Sequence, residues 1–277
     1  MMQQNRIKTK KSLGQHFLNN RHTIQRIVDH LNLKPDDTIL EIGCGTGALT
    51  KRLLGTTRQY LGIELDTPLF QQLEQNMASA QAVFLNQDIL TLNWEKLQAE
   101  YLPAGGKFKV VGNLPYYISS PIISRLTQHT DALELAVIML QAEVADRLMA
   151  LPGSKDYGVL TLVGQYYFEC EFLFWVSPGA FRPQPKVVSK VVRLTPKPTR
   201  QLLPNQEAAF LDFVKRCFSQ RRKTLRNCLK AFQAEDAEYL KEFLKNRGYT
   251  PDVRAERISL DDFIVLYIEL GTHQLSG

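Results

Sequence analysis

Five short apolar segments alternate with segments of helical periodicity along the first half of the chain, and this alternation limits the possible folds most strongly. The apolar segments occupy residues 38–43, 59–66, 82–88, 107–113 and 133–141. A typical intervening segment, 67–77, has apolar residues at helical spacing and Pro68 near its start. Strands that alternate with helices form a mostly parallel sheet covered on both faces. The sequence therefore predicts an α/β fold.

The alternation stops near residue 150, after a turn-forming segment. Residues 170–177 and 186–196 have the pattern of two closely spaced strands, so we expect an antiparallel pair at one edge of the sheet. Residues 195–205 hold several prolines and have the composition of a linker. The segments that follow this linker have the pattern of helices. We therefore expect an α/β domain with a basic N-terminal arm over residues 1–200, and a small all-helical domain over residues 201–277.

Composition argues against a membrane-spanning protein, a secreted protein and a metal-binding protein. The chain has 277 residues, of which 44% are hydrophobic, and no apolar run is long enough to span a membrane. The basic N-terminal segment lacks the apolar stretch of a signal peptide. The four cysteines form no C-x-x-C pair, and the five histidines are scattered. We therefore expect a cytoplasmic protein with reduced thiols and no metal site.

Positive charge is concentrated in two windows. The formal net charge is +6, yet residues 1–28 and 213–230 contain no acidic residue at all. The second window includes Arg221, Arg222, Lys223 and Arg226 beside an apolar helical stripe. These cations could form a merely solvated face. Because no acid lies within the window to pair with them, the pattern favours a role in binding RNA phosphates.

A glycine-rich turn, LEIGCGTGALT, follows the first strand and allows two interpretations. Gly43, Gly45 and Ala48 satisfy the dinucleotide pattern G-x-G-x-x-[GA], whereas the pattern E-x-G-x-G-x-G from Glu41 suits S-adenosylmethionine. The charges of the nearby side chains distinguish between the two cofactors. Glu41, Glu64 and Asp88 would meet at the carboxyl ends of three strands, where they would attract a cationic cofactor and repel a pyrophosphate. We therefore favour a Rossmann-like sheet that binds S-adenosylmethionine, with Glu64 holding ribose hydroxyls.

The fourth strand ends in a second motif, Asn113-Leu114-Pro115-Tyr116. An exocyclic amine of a base is a poor nucleophile, because its lone pair is delocalised into the ring. The Asn113 side-chain oxygen and the Leu114 carbonyl could accept its hydrogens, with Pro115 restricting the backbone between them. Tyr116 offers a flat face on which a base can stack. No charged general base is required, since the proton can leave after methyl transfer.

These motifs resemble those of the rRNA adenine N6,N6-dimethyltransferases. The resemblance extends across nearly the whole chain, through segments in the order of that family: SLGQHFL, LEIGCGTGALT, IELD, NLPYYISSPII, GAFRPQPKVVSKVVRL, FSQRRKTLRN and RAERISL. It is strongest to the family members that act on bacterial small-subunit rRNA. One departure is Cys44, where the family would have proline. The resemblance implies dimethylation of two adjacent adenosines near the 3′ end of that rRNA, in a precursor of the 30S subunit, by an enzyme that we expect to be monomeric.

The resemblance also implies roles for individual residues. Cofactor contacts are implied for His16, Leu18, Gly43, Glu64, Asp88, Ile89 and Asn113. The reacting base would be bound by Asn113, Leu114 and Tyr116, and Phe181 would stack on it opposite Tyr116 from a loop position. Two alternatives stay open at this point: a resistance methyltransferase of large-subunit rRNA, and a non-catalytic RNA-binding or assembly factor that keeps the fold.

Overall fold

The computed structural model of the chain describes residues 15–220, 222–229 and 234–274, with the backbone alone for 234–237 and 271–274. Residues 1–14 of the predicted basic arm therefore lie outside the described residues. The strands of the described part are β1 (Phe17–Leu18), β2 (Thr38–Ile42), β3 (Gln59–Ile63), β4 (Ala82–Leu85), β5 (Phe108–Asn113), β6 (Leu133–Gln141), β7 (Phe168–Val176), β8 (Phe181–Arg182) and β9 (Ser189–Pro196).

Seven of these strands form one sheet in the order β4-β3-β2-β5-β6-β9-β7. The pairs from β4 through to β6 are parallel, and β9 pairs antiparallel with both β6 and β7. The predicted parallel sheet with an antiparallel pair at one edge is thus confirmed. The strand order reverses at β2, which has β3 on one side and β5 on the other. In such sheets, ligands bind in the crevice at the carboxyl ends of the strands where the order reverses.

Helices connect the strands and make up most of the C-terminal region. They are α1 (Arg21–Asp29), α2 (Thr50–Leu53), α3 (Thr67–Met77), α4 (Trp94–Tyr101), α5 (Ser119–Thr127), α6 (Ala142–Leu148), α7 (Val159–Tyr167), α8 (Pro204–Cys217), α9 (Leu225–Cys228), α10 (Ala234–Asn246) and α11 (Leu260–Gln274). Side chains cap several starts: the Asn20 oxygen accepts from the Thr23 amide over 2.8 Å, and Asn93 does the same for Lys96. Among the described residues, no helix has the length and apolar character that a membrane crossing requires.

The central strands are buried on both faces, as parallel strands between two helical layers must be. All five residues of β2 are buried, and so are the residues of β5 up to Gly112. One face of the sheet packs against α1 through Ile24, Ile27 and Val28, which follow the helical spacing seen in the sequence. The apolar core therefore fixes the strand ends, and with them the residues that follow each strand.

The chain divides into two compact units. The first comprises the described residues up to Ala145 together with Phe168–Pro196, and the second comprises Asp146–Tyr167 and the described residues from Lys197 onward. The border at 196–197 lies close to the boundary expected near residue 200. Residues 146–167, however, group with the C-terminal helices and not with the sheet.

Packing within the second unit explains why residues 146–167 belong to it. The hydroxyls of Tyr166 and Tyr167, at the end of α7, donate to the Glu207 carboxylate of α8 over 3.3 and 3.0 Å. Arg200 pairs with the same carboxylate over 2.6 Å, and the Tyr166 ring lies 5.3 Å from that of Phe210. These contacts join residues distant in sequence, so the sequence pattern alone could not assign α7 to the C-terminal helices.

Candidate active site

A cleft opens in the first unit at the carboxyl ends of the parallel strands. Among the residues that line it are His16, Gly43, Glu64, Asp88, Ile89, Asn113, Leu114 and Tyr116. The cleft thus brings together most of the residues selected from the sequence, although they are spread over a hundred positions of the chain. A smaller hollow adjoins it and shares Gly43, Gly45 and Asn113 with it.

The glycine-rich turn forms one wall of the cleft. Gly43, Gly45 and Gly47 have φ angles of +73°, +56° and +76°, values that glycine adopts at no steric cost. A Cβ atom added at Gly43 would find no heavy atom nearer than the Asn113 carbonyl oxygen, 4.0 Å away. The backbone therefore runs beside open space, as close contact with a ligand requires.

Glu64 follows β3 and ties the turn to the next helix. Its carboxylate accepts from the amide of Gly45 over 2.7 Å and from that of Asp66 over 2.8 Å. Burial raises the pKa of the Glu64 carboxyl, and backbone hydrogen bonds, those from Asp66 and Gly45 among them, act in the opposite direction. Each carboxylate oxygen can accept a further hydrogen bond, so Glu64 can hold two hydroxyls while it keeps the turn in place.

Asp88 and Ile89 follow β4 and form the far side of the cleft. One Asp88 carboxylate oxygen accepts from the Leu90 amide over 2.9 Å, which fixes the side chain in a local turn. The Ile89 side chain is buried beside it. A hydrogen-bond acceptor next to an apolar side chain is suited to the amine edge and the face of a purine ring.

Asn113 is the last residue of β5, and its amide is held in one orientation. The Asn113 Nδ2 atom donates to the main-chain carbonyl of His16 over 2.8 Å. A carbonyl can only accept, so the nitrogen of the amide must face it. The Asn113 Oδ1 atom is consequently left as an acceptor for another group in the cleft.

Tyr116 begins the 3₁₀ turn that follows Pro115, and its ring is fixed from two sides. Its hydroxyl and the Ser189 Oγ atom are 2.8 Å apart, and its ring stacks on that of His16 with centroids 5.6 Å apart. The His16 Nδ1 atom lies 2.8 Å from the Pro183 carbonyl, which requires a proton on that nitrogen. Burial raises the pKa of the Tyr116 phenol, so the ring is neutral at physiological pH.

Two of the selected residues do not line the larger cleft. Leu18 lines the smaller hollow and pairs with Phe181, and these two residues lie in the two-stranded ladder of β1 and β8. The expectation of a loop position for Phe181 is wrong, because its ring is 0% exposed within the apolar core. Phe181 therefore presents no accessible face to a base in this structure, and its stacking role stays a prediction that requires residues 178–182 to move.

Glu41 also differs from the expectation of three acids around one cleft. Its carboxylate is buried beneath the glycine-rich turn, where it accepts from the hydroxyls of Tyr60 over 2.6 Å and Thr50 over 2.9 Å. Burial raises the pKa of Glu41 to about 7, against the opposing effect of these two hydrogen bonds. Glu64 and Asp88 are thus the acids of the larger cleft, while Glu41 lines the smaller hollow and supports the turn from below.

The predicted RNA-binding cations lie in the second unit. Arg222, Lys223 and Arg226 are exposed around the short helix α9, and Arg221 lies outside the described residues. The amide of Leu225 donates to the carbonyl of Val253 over 2.8 Å, which anchors the start of α9 to the residue immediately before the RAERISL segment. No carboxylate of the described residues forms an ion pair with these three side chains.

Sequence reasoning missed three residues that shape the cleft. Gln15 donates to the Asp66 carboxylate over 3.0 Å, and the Phe17 ring packs where a side chain at Gly45 would extend. Tyr117 lines the cleft next to Tyr116 but is far more exposed. The first two lie in the SLGQHFL segment, and the resemblance of that segment to the family could have identified them.

The sheet topology, the glycine-rich turn and the acids at the following strand ends define a Rossmann-like methyltransferase of the S-adenosylmethionine-dependent class. Within that class, the chain belongs to the ribosomal RNA adenine dimethylase family, whose model matches residues 6–270.

Individual relatives agree with this membership. The chain is 41% identical over 262 residues to ribosomal RNA small subunit methyltransferase A of Geobacter metallireducens, covering 94% of each protein. It is 39% identical to the protein of the same name from Francisella tularensis subsp. novicida, covering 95% of this chain and 98% of that one.

Two solved structures extend the similarity to three dimensions. A dimethyladenosine transferase from Plasmodium falciparum matches with a TM-score of 0.73 and 26% identity, covering 93% of this chain and 98% of the other. The 23S rRNA methyltransferase ErmE matches with a TM-score of 0.68 and 27% identity, covering 92% and 99%.

The residues of the cleft fit S-adenosylmethionine chemically. The backbone is open beside Gly43, Glu64 retains acceptor capacity for two hydroxyls, and Asp88 with Ile89 suits an adenine edge. Both cleft acids are also complementary to the positive sulfonium and ammonium groups of the cofactor. Among the described residues, no three His, Cys, Asp or Glu side chains converge as metal ligands would.

Proposed function

We propose that this methyltransferase dimethylates the N6 atoms of two adjacent adenosines near the 3′ end of small-subunit (16S) rRNA, within a precursor of the 30S subunit. The observation that carries the proposal is the orientation of Asn113. Its amide nitrogen is held by the His16 carbonyl, so its oxygen is available to an amine in a cleft that fits the cofactor. Relatives that share about 40% of their residues with the chain bear the name of a small-subunit rRNA methyltransferase.

Asn113 and Leu114 are the residues that would bind the acceptor nitrogen. When bound, S-adenosylmethionine supplies an electrophilic methyl group on its sulfonium sulfur. In the first transfer, Asn113 Oδ1 accepts one hydrogen of the adenine amine and the Leu114 carbonyl accepts the other. These two bonds favour a pyramidal nitrogen, whose lone pair is then less delocalised into the ring. The nitrogen loses one proton for each methyl group gained, so one hydrogen bond remains for the second transfer. Pro115, with φ −57° and ψ 130°, keeps the backbone extended after Leu114, so the carbonyl has a fixed direction.

The remaining cleft residues hold the cofactor in place. Glu64 would bind the ribose hydroxyls, Asp88 would accept from the adenine amine of the cofactor, and Ile89 would pack on that ring. Gly43 would contact the methionine portion. His16 and Leu18 approach from the N-terminal segment, with Leu18 acting in the smaller hollow.

The target adenine must leave its stack to reach this site, and aromatic rings replace the contacts it loses. Tyr116 supplies one such ring. One side of it is covered by His16, so the base would stack on the other side. Phe181 completes the enclosure only after residues 178–182 have moved and released its buried ring.

The second unit would grip the ribosomal particle. Arg221, Arg222, Lys223 and Arg226 carry positive charge in a segment without local acids, and charges of this kind bind RNA phosphates. We propose that the enzyme works in the cytoplasm as a monomer, since all groups needed for the reaction come from one chain.

The experiment that tests the proposal separates the two ribosomal subunits. Small and large subunits that lack methylation are incubated with the enzyme and S-adenosylmethionine labelled on the methyl group. The proposal predicts label in small-subunit rRNA only. Label in large-subunit rRNA would favour the second candidate, a large-subunit methyltransferase, for which the structural similarity to ErmE is the supporting observation. Cofactor binding without label in either subunit would indicate a non-catalytic RNA-binding protein.

A further inference from the structure

Two consecutive tyrosines stand at the cleft, but their surroundings differ. The Tyr116 ring is fixed by Ser189 and His16 and is partly buried. The Tyr117 side chain is 54% exposed, although it lines the same cleft. Among the described residues, Tyr117 makes no side-chain hydrogen bond, ion pair or ring contact. An exposed aromatic ring at the mouth of a binding site is a ready surface for a ligand that extends beyond the site.

The backbone directs the two rings differently. Residues 116–118 form a 3₁₀ turn, which is closed by the Ile118 amide donating to the Pro115 carbonyl over 3.2 Å. Successive residues of a 3₁₀ helix are rotated by about 120°. The two side chains therefore project from the turn in different directions. The turn runs directly into α5, which continues from Ser119.

When the target adenine is extruded from its stack, the neighbouring bases lose a stacking partner that an aromatic ring can replace. A base stacked in RNA has a neighbour on each side, and its removal leaves each neighbour with one uncovered face. Aromatic side chains can replace a lost stacking partner with little regard to sequence. A neighbouring nucleotide remains joined to the target through the backbone, so it must lie at the mouth of the cleft.

We propose that Tyr117 is a positioning residue, whose ring stacks on the base next to the adenine being methylated. This inference rests on the proposed function, because it assumes a base of RNA in the cleft. Tyr117 takes no part in methyl transfer. It orders the RNA backbone that delivers the target, and its contribution is to binding of the substrate before the chemical step.

The test uses steady-state methylation of unmethylated small subunits by the full-length enzyme with the variants Tyr117→Leu and Tyr117→Phe. Loss of the ring in Tyr117→Leu should raise KM for the subunit roughly 5- to 20-fold, with kcat within about twofold. Tyr117→Phe keeps the ring and should restore KM to near the wild-type value. The Kd for S-adenosylmethionine should be the same in all three proteins.

The matched control is Trp175→Leu, which removes an equally exposed ring of β7 that does not line the cleft. It should leave KM unchanged. A wild-type KM for Tyr117→Leu, an equal rise in Trp175→Leu, or an equal rise in Tyr117→Phe would each overturn the stacking role. Should the wild type not methylate small subunits at all, the proposed function fails and the inference falls with it. If the wild type is active and Tyr117→Leu has the wild-type KM, the inference about Tyr117 is disproved, while the proposed function stands.

Discussion

The Asn113 side-chain nitrogen donates to the His16 main-chain oxygen over 2.8 Å, across 97 positions of sequence. This bond ties the N-terminal segment to the end of β5 and fixes which atom of the amide is left for the substrate. Because the same segment places the His16 ring against Tyr116, one short stretch of chain orients both groups that we assign to the target adenine.

Replacement of Asn113 separates binding from catalysis. Asn113→Ala should reduce the rate of methyl transfer roughly 100-fold, a loss of the size seen when one group that stabilises a transition state is removed. Asn113→Asp keeps an acceptor but cannot donate to the His16 carbonyl, so it should lose most activity as well. Affinity for S-adenosylmethionine, measured by calorimetry, should change little in either variant. Wild-type turnover by Asn113→Asp would show that the bond to His16 is unnecessary.

Glu64 should matter mainly for the cofactor. Glu64→Ala removes hydrogen bonds to a charged acceptor, which are worth roughly 1.5–3 kcal/mol, so cofactor binding should weaken by about 10- to 100-fold. Because the same carboxylate holds the Gly45 and Asp66 amides, Glu64→Gln should also bind more weakly, since its NH₂ group cannot accept from an amide. Calorimetric titration of both variants tests this. Tight binding of NAD by the wild-type enzyme, with no binding of S-adenosylmethionine, would contradict the assignment.

Tyr116 should act through its ring. Tyr116→Phe loses only the hydrogen bond with Ser189 and should keep much of the activity. Tyr116→Ala should lose about 1–3 kcal/mol of stacking on the base, measured as kcat/KM for small subunits. Equal losses in the two variants would assign the role to the hydroxyl and its contact with Ser189.

The buried carboxyl of Glu41 makes the stability of the first unit depend on pH. Its pKa is about 7 in the folded protein, above the ordinary value of 4.5. Folding therefore favours the protonated form: the stabilisation is complete below about pH 4.5 and is lost as the pH rises through about 7. The free energy of unfolding should fall by up to about 3 kcal/mol over this interval from Glu41 alone.

Urea unfolding followed by tryptophan fluorescence measures this effect, because both tryptophans, Trp94 and Trp175, lie in the first unit. The variant Glu41→Gln cannot ionise and should show a flatter dependence on pH between 4.5 and 7. An unchanged slope in the variant would mean that Glu41 is ionised throughout in the folded protein.

The cations around α9 should contribute to RNA binding and not to the chemistry. Each phosphate contact with single-stranded RNA contributes about −0.7 to the slope of log affinity against log salt. Replacing Arg221, Arg222, Lys223 and Arg226 by alanine should flatten that slope by roughly 3 and leave cofactor affinity unchanged. Salt titration of subunit binding provides the measurement.

A control variant for this titration removes the same charge from the first unit. Lys51, Arg52, Arg58 and Lys96 are all exposed there and have no assigned role. Alanine at these four positions should leave the slope nearly unchanged. Identical slopes for the wild type and the α9 variant would place the RNA-binding surface elsewhere, and the basic N-terminal arm would be the next surface to test.

The sheet could be predicted from the sequence, because its central strands are short, continuous apolar runs that are buried on both faces. The sequence also identified the acids and the asparagine at the strand ends, since the carboxyl ends of parallel strands must meet at one edge. It placed Phe181 in a loop, because neighbouring prolines and an arginine look exposed. The side chain instead packs into the core when β8 pairs with β1, a contact between residues more than 160 positions apart. The burial of Glu41 likewise depends on partners supplied by β3 and α2.

Mapping of the modified bases tests the central claim most directly. Unmethylated small subunits are incubated with S-adenosylmethionine and either the wild-type enzyme or Asn113→Ala, and their rRNA is digested and analysed by mass spectrometry. We predict that the wild type yields N6,N6-dimethyladenosine at two adjacent positions near the 3′ end, and that Asn113→Ala yields little at either. Methylation at another position, methylation of a different atom, or equal product from Asn113→Ala would contradict the account.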